Sequence, residues 1–581
     1  MNNQSCRKKL DILRAQMDNE VASYLSHWRD LGDYIFPRRP RFAVSDVNRG
    51  DRRNQKIIDS TATLAARTTR SGMMSGITSP ARPWFRLSTP DKSLSEYAPV
   101  KQWLYQVEQR ISTVFLRSNL YNVLPVVYGD ISVFGTGCMA MEEDFDEVVR
   151  FYPFAIGEYR IANSARLKVE VFHREFQMTV RQVVERFGLP QDGSGKPDFT
   201  NISDYIKSAW ENGEKETWVD ICHTIQPNED FDPRKLSSEY KRFLSCYYEK
   251  GAAGASTSYN ASDTEKLLSK KGYDIFPILA PRWEVNGNDV YGTSCPGMDA
   301  LGDIKQLQIG EKRSLQAIEK MVNPPMIAPT SLLNKKTSIL PGDTTYVDVR
   351  DGQQGFRPAH EVQFRIQELE MKQQQVRSRI QRAFYEDLFL MLSQSDRRDI
   401  TAREIEERHE EKLLALGPVL EQLNQDVLDP LIDNTFSILA RQNALPPAPD
   451  ELQGMPLKVE YISIMAQAQK LVGLSGMERF AGFVTQLAQI DPQVIDKVNR
   501  DEMVDVYGDK TGVPPSVIVP DEEVVSIRSD RARAQQAQAA AENAKNASSA
   551  AKNLSETDVS GDNALTQIMD SASAGQLGGQ L

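Results

Sequence analysis

The stretch NLYNVLPVVYGDISVFGTGCMAMEEDFDEVVRFYPF, residues 119–154, sets the fold class. Its first half is a helical run that closes on Gly135 and Gly137, residues that end helices because they enter left-handed backbone without a Cβ penalty. CMAMEED and RFYPF then read as strands around an acidic turn, since β-branched and aromatic residues alternate there with polar ones. A helix feeding directly into strands makes this part of the chain α+β.

Working outward, residues 11–32 carry apolar side chains at Ile12, Leu13, Met17, Val21, Tyr24, Leu25, Trp28 and Leu31. That spacing of three and four predicts an amphipathic helix ending before FPRRP. A second helix is expected over 64–74, stopped by Gly72, Gly76 and Pro80; WFRL is a short strand, and 100–116 is helical again. GEYRIA and LKVEVFHREF are further strands. TVRQVVERFG and DYIKSAWENG return to helix, WVDICHTIQPN and KRFLSCYYEK to strand, and GAAGASTSYNASD has the composition of an exposed loop. IFPILAPRWEV is a strand broken by prolines, and VYGTSCPG leads into a helix over 299–321 that stops at NPP.

The next block is the most periodic. Val362, Ile366, Leu369, Val376, Ile380, Phe384, Leu388 and Met391 predict one helix of about 30 residues, roughly 45 Å long at 1.5 Å per residue. Thr401 and Glu404 match a capping box opening a second long helix through Phe436, kinked at Gly417 and Pro418 and ended by LPPAP. Residues 530–581 are rich in Ala, Gln, Ser, Asn and Gly, with few apolar anchors. They are expected to form a flexible tail in preference to a helix that bundles with copies of itself.

A chain of 581 residues exceeds a single core, so several subdomains are expected. No apolar run approaches the roughly 18 residues that span a bilayer, and no membrane association is expected. The five cysteines are widely spaced and never form C-x-x-C, which argues for reduced thiols over a disulfide framework or zinc knuckle. The net charge of -11, from 80 acidic against 69 basic residues, has the wrong sign for tight phosphate neutralisation. The exception is local: residues 1–90 hold 16 basic and 8 acidic side chains, densest in FPRRPRFAVSDVNRGDRRNQK. Such a patch reads first as a solvated or subunit-contacting face and second as a nucleic-acid contact.

Signatures of catalysis are weak. There is no GxxxxGK[ST] loop, no G-x-S-x-G elbow, and neither HEVQF nor HEEKL supplies the second histidine of a zinc helix. Gly135, Gly137 and Ala140 fit the loosest dinucleotide fingerprint, but strands follow them where a helix should. His27, His173, His223, His360 and His409 are scattered and read as packing or surface residues, as does Cys138. Asp299, Asp303, Glu311 and Glu319 read as a solvated or lumen-facing stripe on one helix. No catalytic residue, cofactor or metal is therefore expected, and function narrows to structure, binding or assembly.

Five strings taken together resemble the head-to-tail connecting, or portal, protein family of short-tailed phages. They are TATLAARTTRSGMMSGITSPARPWFRL (61–87), NLYNVLPVVYGDISVFGTGC (119–138), VYGTSCPGMDALGDIKQLQ (290–308) with NPPM (323–326), TAREIEERHEEKLLALGPVLEQLNQDVLDPLIDNTF (401–436) and EYISIMAQAQK (460–470). The resemblance implies a ring of twelve subunits at one capsid vertex, a homo-oligomer whose channel passes double-stranded DNA at packaging and ejection. It implies a place at the head–tail junction of the virion, after assembly in the host cytoplasm. Terminase large subunit, major capsid protein, scaffolding protein and tail adaptor proteins are the implied partners.

The resemblance also implies a parts list. An α+β wing spans 1–176, a first stem segment 177–213, a clip of strands and loop 214–297, and a second stem helix 298–323. A connecting segment over 324–361 includes the tunnel loop, followed by a long wing or crown helix over 362–395, a helical crown over 396–528 and a low-complexity tail over 529–581. By position, Lys335, Lys336 and Arg357 are the candidates for touching DNA in the channel. Two alternatives stand beside this reading: another structural ring or scaffold protein of the virion, and a nucleotide-binding cytosolic enzyme.

Overall fold

The computed structural model describes residues 3–44, 50, 52–91, 94, 97–189, 195–250, 266–328, 330, 333, 338, 357–358, 366–394, 416–452, 457–462, 474–511, 518–519, 521–555 and 567. The fold is α+β, 55% helical and 16% strand. Two compact units divide the chain, Met1–Phe483 and Val484–Leu581.

The first unit opens with α1 (Asn3–Tyr34), whose buried Leu10, Met17, Val21, Trp28 and Leu31 realise the predicted spacing. Next come α2 (Thr61–Ile77), β1 (Phe85–Ser88), α3 (Ala98–Arg117) and α4 (Leu120–Phe134). Helix α4 does end on Gly135, at φ +79°. Strands β2 (Met139–Asp144) and β3 (Val148–Pro153) follow as the predicted hairpin, and β9 (Ile278–Leu279) pairs with β2 to complete a three-stranded sheet. Strand β9 is short because Pro277 and Pro281 flank it and cannot donate to a ladder.

A second sheet is fully antiparallel, in the order β4 (Tyr159–Asn163), β5 (Val169–Thr179), β6 (Trp218–Pro227), β7 (Phe243–Glu249), β8 (Ser269–Tyr273). Between β5 and β6 the chain makes the single turn α5 (Val180–Val183), a π turn over Val184–Gly188, and α6 (Asp204–Glu211). A capping box at Thr179 and Gln182 starts α5, and Val180, Val183, Ile202 and Ile206 pack with Ile221 and Tyr247 of the sheet. The GAAGASTSYNASD stretch lies outside the described residues.

Helix α7 (Pro296–Val322) follows, then the two-residue pair β10 (Met326–Ile327) and β11 (Arg357–Pro358), α8 (Ile366–Ala383) and α9 (Glu386–Gln394). Helix α10 (Gly417–Leu423) passes through a π turn, Asn424–Leu428, into α11 (Asp429–Arg441). Strand β12 (Lys458–Tyr461) returns to pair with β1, and α12 (Leu474–Ile490) leads out of the unit. The second unit holds α13 (Arg500–Thr511) and α14 (Asp521–Ser555), where Arg528 forms a bidentate ion pair with Asp501 at 2.6 and 2.7 Å.

Three expectations need correction. Helix α2 runs on through Gly72 to Ile77, because that glycine serves a helix crossing: a Cβ there would stand 2.3 Å from the Phe389 side chain of α9. The single helix expected over 362–391 is two, broken at Tyr385 with φ +54°. The break is tied to a buried bond from Thr69 Oγ1 to the Phe384 carbonyl at 2.6 Å, and it lets Leu388 and Phe389 enter the main core. The tail is not wholly unstructured, since α14 covers residues 521–555. Its Ala, Gln, Glu, Lys and Arg residues favour helix locally whether or not they find a core to bury against. Thr401 and Glu404 lie outside the described residues; Gly417 and Pro418 stand at the start of α10, with the proline in the first turn, where it is tolerated.

Candidate assembly and DNA-channel site

Two of the strings that carried the resemblance, 119–138 and 290–308, meet at a backbone junction. Gly135 ends α4, Gly292 approaches it from the other side, and Gly297 sits in the first turn of α7 against Val133. A Cβ at Gly135 would lie 2.3 Å from the Gly292 carbonyl, and one at Gly297 would lie 2.6 Å from the Val133 carbonyl. The Gly292 amide donates to Thr136 Oγ1 at 2.8 Å, and the Cys295 thiol donates to the Val133 carbonyl. These glycines let α4, the post-β9 strand segment and α7 touch through backbone. Gly135 leads from a helix into a strand, the reverse of the strand-to-helix turn that binds a dinucleotide.

From this junction α7 projects with apolar residues recurring along one side, interrupted by Glu311. Ala300, Ile304 and Leu307 are buried in its first half. At the same helical azimuth the second half carries Leu315, Ile318 and Val322, exposed by 58%, 41% and 81%. The apolar side therefore outruns the partners that the described residues provide for it.

Charged groups lock the first half of α7 to its surroundings. Lys305 pairs with Asp30 of α1 at 2.6 Å, and Asp303 with Arg379 of α8 at 2.7 Å. Arg377 of α8 bridges Glu311 of α7 at 2.5 Å and Asp59 at 2.9 Å. The Gln308 side chain accepts from the Ile58 and Asp59 amides and donates to the Asp59 carbonyl. The acidic stripe read from sequence is thus only partly solvated: Asp303 and Glu311 are spent on α8, while Glu319 faces solvent.

The basic N-terminal patch is likewise partly internal. Arg39 grips buried Asp130 through Nε at 2.7 and 3.0 Å and donates to the Phe154 carbonyl at 2.7 Å. Arg41 lies 3.8 Å from Glu158, and Lys56 pairs with Asp33 at 2.6 Å. Of the channel candidates, Lys335 and Lys336 lie outside the described residues. The Arg357 backbone stands in β11 opposite Ile327.

One grouping was not read from the sequence. His173 and Glu175 alternate along β5 on one side of the sheet, and Cys222 of β6 is the direct cross-strand partner of Glu175. The signal was present as H-x-E on a strand, but the cysteine joins it only through strand register. Burial alone would raise the Glu175 carboxyl; nearby His173 and Lys250 outweigh it and hold its pKa at about 2. Burial pushes the His173 imidazole below its ordinary value and the Cys222 thiol up to about 12. Cys138 is fully buried, and burial raises its thiol too, as suits a packing residue.

Among the described residues no helix is long and apolar enough to cross a membrane. The sequence profile of a family described as bacteriophage head to tail connecting protein matches residues 7–519. The chain is 51% identical over 562 residues to the portal protein of Salmonella phage epsilon15, covering 97% of this chain and 98% of that one. It is 41% identical over 568 residues to the probable portal protein of Bordetella phage BPP-1, covering 98% and 99% respectively.

Proposed function

The chain belongs to the bacteriophage head-to-tail connecting protein family, and on that premise we propose that it is the portal subunit of a short-tailed phage. Twelve copies close into a ring at one vertex of the head, and double-stranded DNA passes through the axial channel at packaging and ejection. The observation that carries this reading is the 51% identity to a portal protein over 97% of the chain.

Two physical features support the ring. Closed cyclic assembly needs each subunit to bury one face on its neighbour. The exposed Leu315, Ile318 and Val322 stripe on α7 supplies an apolar face of that kind, held at a fixed angle by the ion pairs to Asp30, Arg377 and Arg379. The acidic balance suits a conduit, because a wall that neutralised phosphates would release counterions and retain the duplex.

In this reading residues 1–176 form the wing, 177–213 and 298–323 the stem, 214–297 the clip, and 396–528 the crown. Lys335, Lys336 and Arg357 touch the DNA backbone transiently. The role is structural: a separate terminase hydrolyses ATP and docks on the clip, while capsid, scaffolding and tail adaptor proteins contact the outer surfaces.

Co-assembly with the capsid and scaffolding proteins of the same phage, followed by terminase, ATP and DNA, tests the proposal. Nuclease-protected DNA should require this chain. Equal protection in its absence would refute the reading.

A further inference from the structure

We propose that His173, Glu175 and Cys222 form a binding site for a divalent transition-metal ion, best matched by zinc, that clamps β5 to β6. The donor atoms of the three side chains all lie within 4.8 Å of one another. They converge for a topological reason: positions 173 and 175 share one side of β5, and antiparallel register sets Cys222 opposite Glu175. Bonds of about 2.0–2.3 Å in a tetrahedral site put donors roughly 3.3–3.8 Å apart, so the longest separation must contract by about 1 to 1.5 Å. His173 Nε2 and Glu175 Oε1 are already 3.8 Å apart.

The histidine is set up as a ligand. Its Nδ1 lies 2.9 Å from Thr224 Oγ1, while its Nε2 is buried without any hydrogen-bond partner. Metal binding selects the tautomer with the proton on Nδ1, donated to the threonine, in place of an Nε2–H facing Glu175, and leaves the Nε2 lone pair pointed at the cluster. A buried polar atom left unpaired is costly, and a metal ion removes that cost. Glu175 divides its oxygens: Oε2 takes Lys250 Nζ, and Oε1 faces the histidine.

One nitrogen, one carboxylate oxygen and one sulfur make a mixed donor set that suits zinc and disfavours the hard cations calcium and magnesium. On binding, Cys222 loses its thiol proton to solvent and a metal–sulfur bond forms, with water in the fourth position. Several cations oppose the ion: Lys250, Arg14 of α1 at 3.8 Å from Oε1, Arg7 beside Cys222 and Arg160 beside His173. The Lys250 and Arg14 side chains are each partly exposed, at 33% and 24%. Glu175 also lines a surface cavity of about 320 Å³ with Arg41, Arg160 and Trp218, so the cluster borders solvent on that side.

The test uses the full-length protein, stripped with chelator, re-equilibrated with zinc and separated from free metal. About one zinc per chain should co-elute, and zinc-edge X-ray absorption should show one sulfur neighbour beside nitrogen and oxygen. Cobalt in place of zinc should give a thiolate charge-transfer band that is lost in Cys222→Ser and kept in Cys6→Ser. Thr224→Val, which removes the bond to Nδ1, should weaken zinc about 10- to 100-fold. Wild-type chains that emerge free of metal, or whose zinc has no sulfur neighbour, overturn the proposal, and so does a cobalt band that persists in Cys222→Ser. Should Cys222→Ser fail to fold, the wild-type absorption spectrum decides alone.

Discussion

Arg282 lies just after β9, is 2% exposed, and meets Asp426 in the π turn between α10 and α11. Nε and Nη2 reach Oδ2 and Oδ1 at 3.0 Å each, and Nη2 also donates to the Leu167 carbonyl at 3.2 Å. Leu167 is itself at φ +59°, so the guanidinium steadies a strained turn as well as joining strand to helix. Arg282→Met would leave a nearly buried carboxylate with, among the described residues, only Gln422, at 2.9 Å. Removing one partner of a buried pair costs about 3–5 kcal/mol, whereas replacing both by apolar groups is often close to neutral. Amide hydrogen exchange is the suitable assay for a chain of this size, where global unfolding is not two-state. Protection over residues 278–284 and 424–432 should fall in Arg282→Met by roughly two to three and a half powers of ten. Arg282→Met/Asp426→Leu should recover most of that loss. Unchanged exchange in the single variant, or additive losses in the double, would refute the assignment of this pair as the link between strand and helix.

Three further expectations follow from particular residues. Burial raises the Glu108 carboxyl in α3 to about 7 despite Arg86, so this group takes up a proton on folding at pH 6. Its contribution is fully present below the ordinary carboxylate range and lost as pH rises through about 7, so the melting temperature of the wild type relative to Glu108→Gln should fall between pH 5 and 8. Gly297→Ala forces a Cβ to 2.6 Å from the Val133 carbonyl and should yield little soluble protein; Gly302→Ala on the same helix, with nothing within 4 Å, should be tolerated or raise the melting temperature slightly. Leu315→Glu/Ile318→Glu alters only exposed positions of α7, so circular dichroism should be unchanged while sedimentation velocity shows lost or weakened rings.

Much of the local structure was legible because it rests on local physics. The helix-to-glycine-to-hairpin run through Gly135, the spacing along α1 and the NPP stop after α7 each follow from backbone permissiveness or apolar period. What escaped depends on distant partners. Nothing at Phe384 or Tyr385 announces a break, since the bond from Thr69 lies 315 residues away in sequence. Gly72 reads as a stop until Phe389 is placed against it. The acidic stripe on α7 reads as solvated until α8 brings Arg377 and Arg379 to it. Cys222 joins His173 and Glu175 only through strand register. The exposed half of α7 was legible as an apolar period but not as an unpartnered surface, because burial is a property of the folded subunit.

The most direct test of the portal assignment is the mass and shape of the purified chain, measured by light scattering and negative-stain electron microscopy, alone and with its scaffolding protein. Rings with a central hole and a mass near twelve chains of 65.4 kDa are predicted. A chain that stays monomeric under both conditions, or closes into particles with no axial opening, would contradict it.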